Sequence, residues 1–367
     1  MSDSFLLVLV GTKAQFIKTA PVLREMDARK VRYRLVYTGQ HSETFDLLEA
    51  AFETRPADDM LVSGAEAATH ARFASWAIAY WRAAFVRIRH GGWRGASIGL
   101  VHGDTASTLF GALALRLAGV KVAHVEAGLR SSRMFEPFPE EIVRRIVARL
   151  AWLHFAPDEH AVRNLRNVRG RVVDTQGNTL RDALAVALSR MPPQQRGGEG
   201  GYGLVSIHRS ENLARRADFN LLMEEVLHAS QTTPLKFVLH PATREKIRAS
   251  EWLPRLQAAP GVELLERMDY PDFVRLLAGC CFLMTDGGSN QEEAAMMGLP
   301  TLLLRRATER PDGLGDNVVL SGLESSCIRS FVARFAGRPW DIRLLEEGSP
   351  SSRIVDVLEG HSSPCRQ

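Results

Sequence analysis

The sequence predicts an α/β protein of two domains, each built on a doubly wound parallel sheet. The chain has 367 residues, which is longer than a single hydrophobic core usually serves. Short continuous apolar runs recur in both halves and alternate with segments of helical periodicity, a pattern typical of strands buried on both faces. Each run ends in a polar loop, and in an open α/β sheet ligands bind at that carboxyl edge.

The composition limits the class of protein. Hydrophobic residues make up 45% and charged residues 24% of the chain, as in ordinary soluble globular proteins. The net charge of +4 comes without a Lys/Arg block, so we expect an anionic small molecule rather than nucleic acid or a membrane as the partner. The four cysteines form neither a zinc pattern nor a disulfide framework, so no metal is expected. Without a signal-peptide pattern or a membrane-spanning run, we expect a reducing cytoplasmic location.

The first domain is expected to span residues 1–190. Its strands are predicted at Phe5–Val10, Arg34–Tyr37, Ser97–Val101 and Val120–His124. The first strand leads through a Gly-Thr turn into a helix over Gln15–Arg29. Lys13 and Lys18 flank this turn, where they either meet an anion or remain solvated surface lysines.

Two successive strands of this domain each end in an acid. Asp104 follows the third strand and Glu126 the fourth. Because the carboxyl ends of parallel strands share one edge, the pair is a candidate for acid/base catalysis. Asp104 has an alternative role as the cap of the helix that follows it, together with Thr105–Thr108.

A helix is predicted to open at Phe138–Glu141 and to run to Trp152. Pro139 would occupy its first turn, where proline is tolerated and acids favour the helix dipole. Glu140 and Arg144 lie four residues apart on one face, and an exposed ion pair is the simplest interpretation.

The second domain is expected at residues 204–345. Residues 191–203 are predicted to be a linker, because two prolines are followed by five glycines within 197–203. Residues 346–367 are expected to return to the first domain. The predicted strands of the second domain are Leu204–Ile207, Lys236–Leu239, Val262–Leu265, Phe282–Met284 and Thr301–Leu304.

Two features mark the carboxyl edge of the second sheet. His208 and His240 each follow a strand directly, and both are either functional or satisfied structural histidines. The fourth strand ends in a Gly-Gly-Ser loop before a helix predicted over Asn290–Met297, so Gly288 and Ser289 are placed to bind a phosphate. The acids Glu292 and Glu293, expected in the first helical turn, either complement the dipole or accept a bond from a ribose.

Nine sequence strings follow one another along about residues 6–320: GTKAQFIKTAPV, TGQHSETFD, VHGDTASTL, HVEAGLRS, PFPEEIVRR, QGNTLRDAL, HRSEN, TDGGSNQEEA and TERP. In this order and spacing they resemble the motifs of the non-hydrolysing UDP-N-acetylglucosamine 2-epimerases. The resemblance implies two Rossmann-like domains with an interdomain cleft, as in the GT-B glycosyltransferases, and a homodimer. It also implies interconversion of UDP-GlcNAc and UDP-ManNAc without a metal or redox cofactor.

The resemblance also implies roles for single residues. Asp104, Glu126 and Glu140 match catalytic acids, and His208 matches the histidine near the diphosphate. The positions implied to contact the substrate are Lys13, Lys18, Arg144, Gly288, Ser289, Glu292 and Arg310, with Glu292 as the ribose acceptor. Gln40 and His41 match residues of a second, regulatory UDP-GlcNAc site.

The chain departs from the family pattern at several points. Its first loop reads Lys13-Ala14-Gln15 where Arg-Pro-Glu is usual, which loses a bidentate guanidinium. Val143 stands where Asn is common, and Gly287-Gly288-Ser289 replaces Ser-Gly-Gly. The stretch after TERP is also unusual, which leaves the regulatory site open. A related sugar such as UDP-2,3-diacetamido-2,3-dideoxyglucuronate therefore stays open, as do a hydrolysing epimerase, a GT-B glycosyltransferase and a non-catalytic sensor, although the three acids favour the epimerase.

Overall fold

The computed structural model describes residues 4–40, 45–63, 70–131, 139–191, 197–198, 201–308, 310–343 and 348–362. The chain divides into two compact units, Met1–Ala183 with Glu347–Gln367, and Leu184–Glu346. The boundary between the units lies within the helix Leu180–Ser189. The linker predicted from the sequence begins later, at residue 191. Most of that predicted linker lies outside the described residues.

The first unit contains a seven-stranded sheet in the order β3-β2-β1-β4-β5-β6-β7. All neighbouring strands are parallel. The strands are β1 (Phe5–Val10), β2 (Tyr33–Tyr37), β3 (Asp59–Met60), β4 (Ala96–His102), β5 (Lys121–Val125), β6 (Leu153–Ala156) and β7 (Arg171–Asp174). The central strands are buried on both faces, which explains their unbroken apolar runs.

Helices connect these strands in the described part of the unit. They are α1 (Lys13–Ala28), α2 (Phe45–Phe52), α3 (His70–Arg89), α4 (Ala106–Leu117), α5 (Glu140–Leu150), α6 (Glu159–Asn164) and α7 (Leu180–Ser189). Both α1 and α4 begin with a capping box: Thr12 pairs with Gln15, and Thr105 pairs with Thr108. These reciprocal bonds satisfy backbone donors at the helix start and therefore fix where each loop ends.

The second unit contains a six-stranded parallel sheet in the order β10-β9-β8-β11-β12-β13. Its strands are β8 (Gly203–Ser206), β9 (Leu235–Leu239), β10 (Val262–Glu266), β11 (Phe282–Thr285), β12 (Thr301–Leu303) and β13 (Val318–Leu320). Its helices are α8 (Ser210–Ala214), α9 (Arg216–Ala229), α10 (Pro241–Arg248), α11 (Trp252–Ala258), α12 (Tyr270–Gly279), α13 (Gly288–Met297) and α14 (Ser325–Phe335). Phe237, Phe282 and Trp252 are among its fully buried side chains.

The last helix, α15 (Pro350–Ser362), belongs to the first unit and packs against α1. Arg29 at the end of α1 donates hydrogen bonds to Ser352, Asp356 and Glu359 of α15. The predicted fold class, two doubly wound parallel-sheet domains, is confirmed. Within the described residues, every helix is too short or too polar to cross a bilayer.

Candidate functional site

The carboxyl edge of the first sheet brings together charged residues from three neighbouring loops. The strand order places β4 between β1 and β5, so the loops that follow these strands lie side by side. Lys13 is the first residue of α1 and Lys18 lies one turn further on. Asp104 follows β4, and Glu126 follows β5.

Glu126 is held by groups from two other elements. Lys18 Nζ lies 2.7 Å from Glu126 Oε1, and Asn178 Nδ2 donates to the same oxygen at 2.6 Å. The backbone of Glu126 has a φ of 63°, which is uncommon for any residue with a side chain. Such strain persists only where the surroundings fix the residue, and it concentrates at functional positions.

The electrostatic surroundings keep Glu126 ionised. Burial by itself raises the pKa of this carboxyl, but the charge of Lys18 and the contacts from His102 and Lys18 outweigh it. The pKa of Glu126 therefore lies well below its ordinary value. Glu126 is therefore in its charged form, which is the form that a base needs in order to accept a proton.

Asp104 is braced by an arginine and does not cap α4. Arg144 Nε and Nη2 both lie 2.7 Å from Asp104 Oδ2. The cap of α4 is Thr105, whose side chain accepts from the backbone N–H of Thr108. The capping role considered for Asp104 is therefore wrong, and its carboxylate is left for other chemistry.

The predicted ion pair between Glu140 and Arg144 is also wrong. Arg144 pairs with Asp104 instead. Its Nη1 lies 3.7 Å from Oε2 of Glu141, which is the fully buried acid of this helix. Pro139 occupies the cap position, so the helix begins at Glu140. Within the described residues, Glu140 Oε2 is buried without a hydrogen-bond partner.

The two positions considered for regulation differ in what the structure describes. Gln40 follows β2, and its Oε1 accepts a hydrogen bond from Ser107 Oγ at 2.6 Å. The same Ser107 hydroxyl lies 2.9 Å from Thr38 Oγ1, so Gln40 is tied to the start of α4. His41 lies outside the described residues.

Gln15 joins the first loop to the loop after β4. Its amide donates to the His102 carbonyl and to Thr108 Oγ1, both at 2.7 Å. Its Oε1 accepts from the backbone N–H groups of Gly11 and Thr12, at 2.9 and 3.1 Å. The side chain that departs from the family pattern is thus a fully bonded, buried connection between two loops.

The carboxyl edge of the second sheet is organised by Asp286, which follows β11 and is fully buried. Its Oδ1 accepts from the His208 backbone N–H at 2.8 Å, and its Oδ2 from the Arg209 backbone N–H at 3.0 Å. Asn212 Nδ2 donates to Oδ2 at 2.9 Å. Asp286 therefore fixes the loop that carries His208, a role that the sequence reasoning missed.

His208 lies against a glycine and a second histidine. The ring centroids of His208 and His240 are 5.2 Å apart in a stacked arrangement. A Cβ at Gly287 would lie 2.6 Å from His208 Cε1, so any other residue at this position would force the imidazole to shift. Glycine at position 287 therefore allows the imidazole to sit over the Gly-Gly-Ser loop.

The helix after this loop starts earlier than predicted. It begins at Gly288 rather than Asn290, with Gly287 as its cap. Gly288 and Ser289 are therefore the first two helical residues, and their N–H groups belong to the donors that lack intrahelical partners. Glu292 is not in the first turn, so the predicted dipole role is wrong.

Glu292 and Arg310 form an ion pair near the helix start. Arg310 Nη1 lies 3.2 Å from Glu292 Oε2, and Glu292 is only 8% exposed. The loop that carries Arg310 is held by Gln291, whose amide donates to the carbonyls of Arg310 and Asp312 at 3.1 and 2.9 Å. Ser289 is exposed.

Each edge thus gathers most of the residues singled out in its own unit. The first edge pairs Lys18 with Glu126 and Arg144 with Asp104, and the second pairs Arg310 with Glu292 beside Gly288. Asn178 and Asp286 were missed, although both lie in strings that carry the resemblance and both follow a strand. Among the described residues, His, Cys, Asp and Glu form no cluster suited to a metal ion.

Comparisons with known proteins identify the family of this chain. The family model described as UDP-N-acetylglucosamine 2-epimerase matches residues 24–359. The UDP-N-acetylglucosamine 2-epimerase of Bacillus subtilis is 30% identical over 97% of this chain and 95% of its own length.

Two solved structures are similar over almost the whole chain. The UDP-GlcNAc 2-epimerase from Neisseria meningitidis bound to UDP-GlcNAc has a TM-score of 0.75 and 27% identity, and the match covers 97% of this chain and 99% of that one. The UDP-GlcNAc 2-epimerase from Methanocaldococcus jannaschii, with a TM-score of 0.79, 23% identity and coverage of 97% and 99%, supports the shared fold. The fold is GT-B-like, and the chain belongs to the UDP-N-acetylglucosamine 2-epimerase family.

Proposed function

We propose that this epimerase interconverts UDP-GlcNAc and UDP-ManNAc without hydrolysis, by eliminating UDP and adding it back. The observation that carries the proposal is Glu126, a buried carboxylate that Lys18 keeps ionised at the edge of the first sheet. A base of this kind is what removal of a proton from sugar carbon C2 requires.

The proposed reaction follows from the weak acidity of that proton. A carbon that bears only an acetamido group does not release its proton readily, so proton removal is coupled to departure of UDP from C1. The C2–H bond breaks as its proton goes to a carboxylate, the C1–O bond breaks with its electron pair leaving on UDP, and a C1=C2 double bond forms. Addition of UDP to C1 with a proton on the opposite face of C2 completes the epimerisation.

We assign the proton transfers to the acids of the first unit. Glu126 is charged at neutral pH and acts as a base, while Asp104 is oriented by Arg144. Glu140, with a buried oxygen unbonded within the described structure, is the third candidate acid. Two acids on opposite faces of the sugar are needed because the proton leaves one face and returns to the other.

We assign the nucleotide to the second unit. The N–H groups of Gly288 and Ser289 open α13 and suit a diphosphate, while Glu292 suits a ribose hydroxyl. His208 and Arg310 both lie against the glycines of this loop, where a positive or donating group stabilises charge on departing UDP. Lys13 and Lys18 would contribute from the first unit to anion binding.

The test is to incubate the protein with UDP-GlcNAc in deuterated water and to follow proton NMR. Epimerisation predicts loss of the C2 proton signal as deuterium enters and the appearance of UDP-ManNAc at equilibrium. Release of UDP with free sugar would instead identify a hydrolysing enzyme. Transfer of the sugar to an added acceptor without deuterium at C2 would identify a glycosyltransferase.

A parallel incubation with UDP-2,3-diacetamido-2,3-dideoxyglucuronate tests the sugar. Faster deuterium entry into this compound than into UDP-GlcNAc would reassign the substrate, because the same elimination applies to both. Binding of both nucleotides without any exchange would leave only a sensor and would reject the proposed reaction.

The resemblance also supports proposals for the whole protein. We propose a homodimer, tested by light scattering of the purified protein, where a mass near twice 40.7 kDa is expected. We propose a reducing cytoplasmic location, which suits the free thiols of Cys280, Cys281 and Cys327. Regulation through Gln40 and His41 is tested by whether a trace of UDP-GlcNAc accelerates the reverse reaction.

A further inference from the structure

His102, the last residue of β4, takes no part in the reaction as assigned so far. Its side chain is 2% exposed, and it lies between α1 and the carboxylate of Glu126. The ring Nδ1 is 3.1 Å from Thr19 Oγ1, and the ring Nε2 is 3.6 Å from Glu126 Oε2. The carbonyl of His102 accepts bonds from Gln15 and Thr108, so its backbone is fixed as well.

The hydrogen bonds of Thr19 determine which ring nitrogen of His102 carries a hydrogen. The Thr19 hydroxyl donates to the Gln15 carbonyl at 2.7 Å, and a hydroxyl has only one hydrogen to give. Towards His102, Thr19 Oγ1 therefore acts as an acceptor, and Nδ1 must be the donor. Nδ1 thus keeps its hydrogen in both the neutral and the charged imidazole.

The other nitrogen faces the proposed base. Within the described structure, Nε2 of His102 is buried and has no hydrogen-bond partner. Glu126 Oε1 is already bonded to Lys18 and Asn178, which leaves Oε2 opposite Nε2. If Nδ1 carries the only ring hydrogen, the lone pair of Nε2 faces the lone pairs of Glu126 Oε2, and the two atoms repel. A proton on Nε2 would instead be donated towards Oε2, so that both atoms gain a partner.

We propose that His102 is a positioning residue for Glu126, whose Nε2 proton holds Oε2 and fixes the direction and charge of the carboxylate that receives the substrate proton. The inference rests on the proposed function for the role of Glu126. Carboxylate restraint then comes from three elements: Lys18 of α1, Asn178 after β7 and His102 of β4. Contacts from three elements also explain how the backbone of Glu126 is held in the left-handed region.

The charge around this pair comes from a small set of groups. Glu126 and His124 interact electrostatically with His102 in the described structure, and Lys18 contacts the same carboxylate of Glu126. His124 donates from Nε2 to the Gly103 carbonyl at 2.7 Å, and burial lowers its pKa to about 3. Because its pKa is so low, His124 stays neutral near pH 7 and adds no charge beside Glu126.

Two substitutions test the roles of the two ring nitrogens of His102 independently. His102→Asn places an amide near Nδ1, which keeps a donor for Thr19 and removes the group that faces Glu126. His102→Gln places its amide near Nε2, which restores a donor for Glu126 Oε2. We expect His102→Asn to lower kcat by about 10- to 100-fold with KM changed by less than about threefold.

We expect His102→Gln to recover most of the lost kcat, because its amide again donates towards Glu126 Oε2. The matched control is His154→Gln, which alters a buried histidine of β6 whose Nε2 bonds to the Arg169 carbonyl and should leave kcat near the wild-type value. A purely structural effect would lower the melting temperature of both His102 variants and would leave kcat of His102→Gln as low as that of His102→Asn. Equal kcat for His102→Asn and wild type would overturn the proposal.

A second measurement does not depend on turnover. In ¹⁵N NMR of histidine-labelled protein, with the signals of His102 identified by their loss in His102→Gln, we expect Nδ1 to stay protonated across the pH range. We further expect Glu126→Gln to shift the Nε2 resonance. A ring protonated only on Nε2, or an Nε2 signal insensitive to Glu126→Gln, would overturn the proposal even in an enzyme that fails to epimerise. Wild-type protein without C2 exchange would reject the proposed function alone.

Discussion

The two sheets place different chemistry at the same topological position. At the edge of the first sheet, the acids Asp104 and Glu126 are side chains paired with cations, and both keep some exposure. At the edge of the second sheet, the acid that follows the strand is Asp286, which is fully buried and bonded to backbone N–H groups and an amide. The acids of the first edge are therefore available at the surface of the edge, whereas the acid of the second edge holds the loop that carries His208.

Under the proposed function, this difference separates the proton transfers, at the first edge, from nucleotide binding, at the second. The carboxylate of Glu126 is kept charged by its neighbours, chiefly Lys18, as its lowered pKa indicates. A carboxylate whose oxygens are saturated by fixed donors acts as a structural clamp. Substitutions at the two edges should therefore have different effects on turnover, nucleotide affinity and stability.

The largest effect is expected at the first edge. Glu126→Gln and Asp104→Asn preserve shape and remove the charge, so we expect kcat to fall by about 10²- to 10⁴-fold in each variant, the usual contribution of a general acid or base. Nucleotide affinity, measured by calorimetry with UDP, should change little because neither acid is assigned to the nucleotide. Wild-type rates in both variants would remove these acids from the mechanism.

The next largest effect is expected at Asp286. In Asp286→Asn one oxygen becomes an N–H group that opposes the donors of the loop, and a buried mismatch of this kind costs about 2 kcal/mol. We expect a lower free energy of unfolding in urea together with weaker UDP binding, since the loop carries His208. Asp316→Asn is the control, because its exposed carboxylate pairs only with Arg343 in the described structure. A loss of kcat alone, with affinity intact, would mean that Asp286 is catalytic and would erase the contrast.

A smaller effect is expected from the charge beside Glu126. Lys18→Met removes the main group that opposes the burial of Glu126, so the pKa of this carboxyl rises. Because a protonated carboxyl cannot act as a base, the fall in activity on acidification should begin at a higher pH. The acid limb of the kcat/KM profile should move up by about one pH unit. In the wild type, the lowered pKa of Glu126 stabilises the folded protein at pH values above the pKa of this carboxyl in the unfolded chain. This stabilisation is lost as the pH falls through the pKa in the folded protein, and Lys18→Met removes it. Lys121→Met, an exposed charge at the start of β5, should leave the limb in place.

The smallest effect is expected at Ser289. Its side chain is exposed on the first turn of α13, and the backbone N–H groups are the better placed donors. We expect Ser289→Ala to change UDP affinity by less than about threefold, since the helix start supplies the bonds. A much larger loss would show that the hydroxyl reaches the diphosphate itself, and the second edge would then also act through a side chain.

Much of the fold followed from the sequence for a simple reason. Strands buried on both faces, such as Phe5–Val10, must be apolar throughout, and this signal is local. The short strands Leu153–Ala156, Arg171–Asp174 and Val318–Leu320 were missed, because so few residues give no clear periodicity. The start of α13 was placed two residues late, since Gly288 and Ser289 are poor helix formers that the loop geometry recruits into the first turn.

The candidate site was predicted less completely. Loop positions at strand ends, such as Asp104 and Glu126, follow from topology alone. The partners of these acids did not: Arg144 binds Asp104 instead of its helical neighbour Glu140, and Asn178 reaches Glu126 from another loop. Helical spacing predicts which side chains are near in one element, whereas pairing is decided by what lies across from them.

The sequence by itself determined the two parallel sheets, the loops that carry the site and the membership of the 2-epimerase family, because strand burial and ordered motifs are written locally along the chain. The lowered pKa of Glu126, the bonds that Asp286 makes to the His208 loop and the position of His102 beside Glu126 follow only from the folded structure. Those properties depend on desolvation and on distances of a few ångströms between residues far apart in sequence, such as Lys18 and Glu126 at 2.7 Å.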